Sequence, residues 1–233
     1  MENIDLKEPP EDVKMTTELE VVAVPEDILE ETNAQMEWLR QTIESLPIPP
    51  TSRAKAAVAC FVVVLEHHDS ILLLSEHQLY ASSFALVRIA FDAYIRGVWL
   101  SICASDPEVE RFISLKEPPK TSELVREIEK HPFFEDGFLS SYKIQAYKWM
   151  CDFTHTGGRQ IQRWTAEEGL EPNYPLGEVL EVIAISQSIA LLALLGGIAI
   201  AESGDVTEEA LRQFELVRMR TVALHDEQRF TYP

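Results

Sequence analysis

Residues Val182 to Ala201 (VIAISQSIALLALLGGIAIA) form 20 consecutive positions without a charge. A run of that length is either a membrane span or the central helix of a bundle, apolar on every side because neighbours surround it. The bundle reading is the stronger one. Ser186, Gln187 and Ser188 interrupt the run, and its flanks are acidic, with Glu178, Glu181, Glu202 and Asp205. No Lys or Arg stands beside it to set an orientation across a bilayer.

The rest of the chain carries helix signals almost throughout. Pro25-Glu26-Asp27 starts a helix, and Ile28, Thr32, Gln35, Leu39, Ile43 and Leu46 follow at three- and four-residue steps before Pro47, Pro49 and Pro50 end it. Thr51 or Ser52 caps a second helix to about Gln78, and a strongly apolar third runs from about Ala81 to Ala104. Ser105-Asp106-Pro107-Glu108 opens a short fourth, closed by Pro118-Pro119. Further helices are expected near 122–130, at 138–154 before Gly157-Gly158, briefly at 159–168, at 177–202 and at 207–225. A capping box of Asp205 and Glu208 suits the last of these. No segment alternates with period two between turn signals, so no sheet is expected. The expected fold is all-α: a helical bundle of four to five long helices plus short ones. It forms one domain over 25–230, behind an acidic flexible tail over 1–24.

Charge narrows the function. The formal net charge is −19, and residues 1–50 hold 13 Asp/Glu against 3 Lys/Arg, a net of −10. Such a surface opposes non-specific binding to nucleic acid, which depends on Lys and Arg neutralising phosphates, although a local basic cleft is compatible with it. Cys60, Cys103 and Cys151 stand singly in apolar, helix-like segments, as buried thiols of a reducing compartment do. The start, MENIDLKEPPEDVK, lacks the basic and apolar regions of a signal peptide, so a cytoplasmic location is expected.

Two polar clusters break the apolar pattern. Arg88, Asp92 and Arg96 repeat every four residues in SFALVRIAFDAYIRGVWL and so share one helix face. They form either an internal ion-pair ladder or an anion site in which an arginine exceeds its carboxylate partner. In DFTHTGGRQ, Asp152 stands three residues before His155, close enough on a helix end to orient the imidazole, and Arg159 follows the Gly157-Gly158 turn. That set suits acid–base chemistry beside an anion, with His155 and Asp152 as catalytic candidates and Arg88, Asp92, Arg96 and Arg159 as anion-binding ones. The alternative is a histidine that caps its own helix. No metal site is expected. Glu66-His67-His68-Asp69 contains no Glu-x-x-His pair, and the adjacent histidines point about 100° apart on a helix. Cofactor motifs are likewise missing, and none is expected.

The segments FALVRIAFDAYIRGVWLSICAS, EVERFIS and YKWMCDFTHTGGRQIQRW resemble an uncharacterised bacterial family of all-helical proteins, over about residues 55–185. Related families of unknown function are similar to HEPN domains. The resemblance implies a helical bundle, often dimeric, of the kind found in toxin–antitoxin and phage-defence systems, where some members are metal-independent ribonucleases. The ribonuclease signature, Arg and then His after four to six residues, occurs at Arg126–His131, Arg218–His225 and Arg220–His225, outside the family-like motifs. About one such match arises by chance in a chain like this. A spatial equivalent would place Arg88 or Arg96 against His155.

The expected function is therefore that of a HEPN-like protein binding or cleaving RNA or a nucleotide-like anion. A non-catalytic dimerisation module with structural polar clusters is the alternative, and membrane association through 182–201 a further one. Expected partners are a second copy of the chain, RNA or a nucleotide as ligand, and a protein encoded by a neighbouring gene.

Overall fold

The computed structural model describes residues 14–15, 21–116, 119–134, 137–165 and 169–229. Helices α1 (Glu26–Ser45), α2 (Ser52–Glu76), α3 (Tyr80–Ile102), α8 (Leu176–Ala201) and α9 (Thr207–Arg229) are the long members of an all-α bundle. Helices α4 (Asp106–Ile113), α5 (Thr121–Ile128), α6 (Phe138–Thr154) and α7 (Gly158–Gln162) lie between α3 and α8 in sequence. The helix starts follow capping chemistry. Thr51 Oγ1 accepts from Ala54 N at 3.2 Å, and the Glu108 carboxylate accepts from Ser105 N at 2.7 Å to open α4.

No sheet was expected, and among the described residues strand pairing is confined to one short parallel ladder, β1 (Lys14–Met15) with β2 (Gly169–Leu170), and a bridge between Thr165 and Leu170. The helix expected over 159–168 stops at Gln162. The chain doubles back there, with Asn173 N donating to Arg163 O at 2.7 Å and Glu171 N to Trp164 O at 3.2 Å. Most of the expected acidic tail, 1–13 and 16–20, lies outside the described residues. Val24 is buried, and the Tyr80 hydroxyl donates to Val22 O.

Helix α8 packs against α1, α2, α3 and α9, which accounts for its apolar character on every side. Both α8 and α2 are long and apolar enough to cross a membrane; most of the apolar window of α8 is buried, against 39% of that of α2. The polar interruptions of α8 have partners inside the bundle. Gln187 Nε2 donates to Gln35 Oε1 at 3.0 Å, and Gln35 Nε2 in turn to Gln213 Oε1 at 3.0 Å, joining α8, α1 and α9. Ser186 Oγ donates to Ile183 O at 2.9 Å and lies 2.9 Å from Nδ1 of the fully buried His68 on α2. With the hydroxyl hydrogen committed to Ile183, His68 Nδ1–H is the donor to Ser186, and Nε2 is left without a hydrogen-bond partner.

The tightest junction is at Phe61. A Cβ added at Gly196 of α8 would lie 2.6 Å from Phe61 Cζ, and one at Gly97 of α3 would come closer still to the adjoining Cε1. Both glycines let backbone meet ring directly, and Phe61 is wholly buried, with no room to withdraw. Alanine has the better helix propensity by about 1 kcal/mol, whereas overpacking costs about 1–3 kcal/mol. Gly97→Ala is therefore expected to lower the melting temperature, and Phe61→Leu in the same chain to recover part of the loss. A Gly97→Ala protein as stable as wild type would remove the steric account.

Burial pushes the His68 imidazole down to about 3. The unfolded chain takes up a proton near pH 6.5 that the folded chain refuses until near pH 3. Stability is thus full above pH 6.5 and falls as pH drops below it, by at most about 1.4 kcal/mol per pH unit from this group. Half-buried His67 is also held low, by burial opposed by Glu66. Urea melts between pH 4 and 7 are expected to show a flatter pH dependence in His68→Leu than in wild type; equal slopes would exclude His68 as the source.

Candidate functional site

The two polar clusters meet. Helix α6 lies along α3 through an aromatic group: Phe84 packs on Phe153 (centroids 4.8 Å apart) and Trp149 (5.8 Å), and Tyr174 reaches Phe84 from the α7–α8 loop (5.3 Å). Thr154 Oγ1 donates to Met150 O (2.9 Å) and Ala85 O (3.1 Å), joining the carboxyl end of α6 to the start of α3. The apolar contacts set the seam, and the next turn of α3 places Arg88 on its polar side.

Arg88 Nη1 donates to His155 Nε2, a contact between residues 67 positions apart in sequence. Its Nη2 donates to the Tyr147 hydroxyl at 3.3 Å, and its guanidinium stands 5.2 Å from the centre of that ring. Asp92 lies 3.8 Å from Arg88 Nε, and its other oxygen accepts from Thr121 Oγ1 at 2.9 Å and from the Tyr147 hydroxyl at 3.5 Å. The side chains of Arg88 and Asp92 are only 20% and 15% exposed, while His155 is exposed. Burial opposes the charge of Arg88, but hydrogen bonding to Tyr147 and the charges beside it, Asp92 among them, outweigh that cost. The guanidinium is held above its ordinary range and stays charged.

The other expected members sit differently. Asp152 does not reach His155: it pairs with Arg159 at 3.7 Å, so His155 is oriented by Arg88 instead. The backbone explains this. His155 ends α6, Thr156 adopts the left-handed conformation (φ 54°), and Gly157 N donates to Asp152 O at 2.6 Å. Gly157 was expected to turn the chain, but Thr156 does so; Gly157 instead allows the close approach to Asp152, whose Oδ1 would lie 2.8 Å from an added Cβ. Arg96, one turn beyond Asp92, makes no ion pair among the described residues, and its buried Nε has no hydrogen-bond partner. The expected three-membered ladder is thus an Arg88–Asp92 pair with Arg96 apart from it.

Tyr147 and Thr121 were missed in the sequence. Tyr147 had a signal, since Tyr147, Cys151 and His155 repeat every four residues and face Arg88 together. Thr121 had none, because its place depends on how α5 packs against α3. Of the sequential Arg–His pairs, Arg126 binds Ser122 O and His131 stacks on Phe133, while Arg218 and Arg220 pair with Glu215 and Glu31. The side chain of His225 lies outside the described residues. No group of three His, Cys, Asp or Glu suited to a metal occurs among the described residues, and Cys60, Cys103 and Cys151 are free thiols.

A family model described as a family of unknown function, DUF6988, matches residues 61–215. The chain belongs to this family. No curated protein and no solved structure matches it. The DUF6988 match spans both polar clusters and leaves out α1 and the end of α9.

Because Arg88 has no hydrogen-bond acceptor to offer, His155 Nε2 must carry the lone pair and Nδ1 the proton. Imidazole 15N shifts are expected to report that tautomer for His155, and Arg88→Met to shift the balance toward Nε2–H. Identical spectra in the two proteins would mean that the contact does not form in solution.

Proposed function

We propose that this DUF6988 protein is a HEPN-like, cytoplasmic bacterial protein. It binds and cleaves RNA without a metal, with Arg88 and His155 as the reacting pair, in a defence or toxin–antitoxin setting. The contact of Arg88 with His155 carries the reading, because it joins a fixed cation to an exposed acid–base group. RNA phosphate draws the Arg88 guanidinium off Nε2 and onto its own oxygens, and so frees the base. His155 Nε2 takes the proton of the 2′-hydroxyl as that oxygen bonds to phosphorus. The bond from phosphorus to the 5′-oxygen then breaks, the leaving oxygen takes up a proton from water, and a 2′,3′-cyclic phosphate remains. Arg88 offsets the charge that builds on phosphorus, and Asp92, Tyr147 and Thr121 hold Arg88 in position. Arg159, at the same helix end, carries a further cation for a neighbouring phosphate.

The test is a mixed RNA pool incubated with purified protein and EDTA across pH 5–8. Cleavage to cyclic-phosphate ends is expected, falling at least about 100-fold in His155→Ala, with the melting temperature kept in Arg88→Met/Asp92→Leu. Intact RNA throughout this range would refute the activity.

A second reading, a non-catalytic homodimerisation module, draws support from the solvent face of α2, where Val62, Val63 and Leu73 are 45%, 40% and 57% exposed. A dimer in light scattering that Val62→Lys/Val63→Lys converts to monomer, together with inert RNA, would favour it.

A further inference from the structure

Helices α3, α4 and α5, with Lys116, Pro119 and Lys120 between the last two, line a cavity of about 410 Å³, where Trp99, Phe112 and Pro119 stand beside Arg111, Lys116 and Lys120, and Glu108 and Glu123 complete the wall. A volume of this size is that of a small-molecule site. Its charge runs against the rest of the protein. In a chain of net charge −19, three of the 20 Lys and Arg converge on one cavity.

The two acids do not cancel them. The Glu108 carboxylate is turned to the start of α4, accepting from Ser105 N at 2.7 Å and Ser105 Oγ at 2.6 Å, and those bonds hold it below the usual carboxylate range. Glu123 likewise turns to the start of α5, where it accepts from Lys120 N at 3.3 Å. Both carboxylates thus serve the amide groups of their own helices. Among the described residues, none of the three cations enters an ion pair. The floor is apolar and rigid. Trp99 is buried, its indole N–H donates to Glu127 Oε2 at 2.6 Å, and Phe112 packs on the core beside it.

Arg111 feels the charge of Glu108 but forms no close ion pair with it, and cations held this loosely around an aromatic floor have the chemistry that recognises a flat ring joined to a phosphate. We propose that this cavity is a binding site for a nucleoside phosphate, with Arg111, Lys116 and Lys120 on the phosphate and Phe112 and Trp99 beneath the ring. The site is independent of the reading given for Arg88 and His155, and the link between them is indirect: Lys120 precedes Thr121, whose hydroxyl donates to Asp92.

Calorimetric titration of the full chain with AMP, adenosine and inorganic phosphate in low salt tests it. AMP is expected to bind saturably, with adenosine and phosphate each at least about tenfold weaker. Arg111→Gln/Lys120→Gln is expected to weaken AMP by at least about tenfold at an unchanged melting temperature, since both side chains are exposed. Phe112→Leu is expected to weaken AMP but not phosphate. Absence of saturable AMP binding would overturn the proposal, as would phosphate binding as tightly as AMP. So would a double variant that binds AMP like wild type. Arg88→Met is the control that separates the two sites: AMP binding that survives it belongs to the cavity, and AMP binding lost with it, yet kept in Arg111→Gln/Lys120→Gln, overturns the proposal and leaves the Arg88 site standing.

Discussion

Phe61 lies between the backbones of Gly97 and Gly196, and the spacing of α2, α3 and α8 follows from that contact. An aromatic ring in direct contact with both glycines allows neither helix to move closer, and separating them would open a void. With α3 pressed against α2 and α8 along that line, its remaining surface faces α5 and α6. Arg88, Asp92 and Trp99 occupy this outward face, so the polar seam and the cationic cavity both depend on a junction that contains no polar side chain. The His68–Ser186 bond and the glutamine chain from Gln187 to Gln213 complete the same packing by giving His68 Nδ1, Ser186 and Gln187 partners from neighbouring helices.

The seam between α3 and α6 combines two costs. Arg88 and Asp92 are largely withdrawn from water, which is unfavourable for each charge alone. Asp92 recovers part of this through Arg88, Thr121 and Tyr147, and Arg88 through Asp92, Tyr147 and His155. A purely structural pair would need only Asp92 and the hydroxyls, and even with them Arg88 Nε has no hydrogen-bond partner. The additional contact, to an exposed imidazole at a helix end, leaves an acid–base group beside a fixed cation and open to solvent. That surplus distinguishes the cluster from a register-setting ion pair, and it underlies the proposed acid–base role.

The sequence revealed the two clusters but mistook some of their pairings. Four-residue spacing placed Arg88 and Asp92 on one face correctly, because helix geometry alone decides that. The same rule included Arg96, which lies on that face but a turn beyond the reach of Asp92's other partners. Asp152 and His155 looked like a pair at three-residue spacing, yet α6 ends between them and Thr156 turns left-handed. The imidazole is thereby directed at α3 and Asp152 at Arg159. Tyr147 was legible as the third member of the Tyr147–Cys151–His155 repeat, whereas Thr121 and the cationic cavity were not. The residues of the cavity come from α3, α4, α5 and the segment between the last two, and no spacing along the chain records how those pieces pack.

Local chemistry determined the all-α class, most helix boundaries, the central position of α8 and the identity of the polar positions. Prolines, caps and apolar periodicity act within a few residues, so they are readable in order along the chain. Which cation meets which base is a separate matter. The partners Arg88 and His155 are 67 positions apart, and they are joined only because aromatic packing of Phe84, Trp149 and Phe153 lays α6 along α3. Side-chain packing between distant helices has no counterpart in sequence spacing, and there the tertiary structure alone decided.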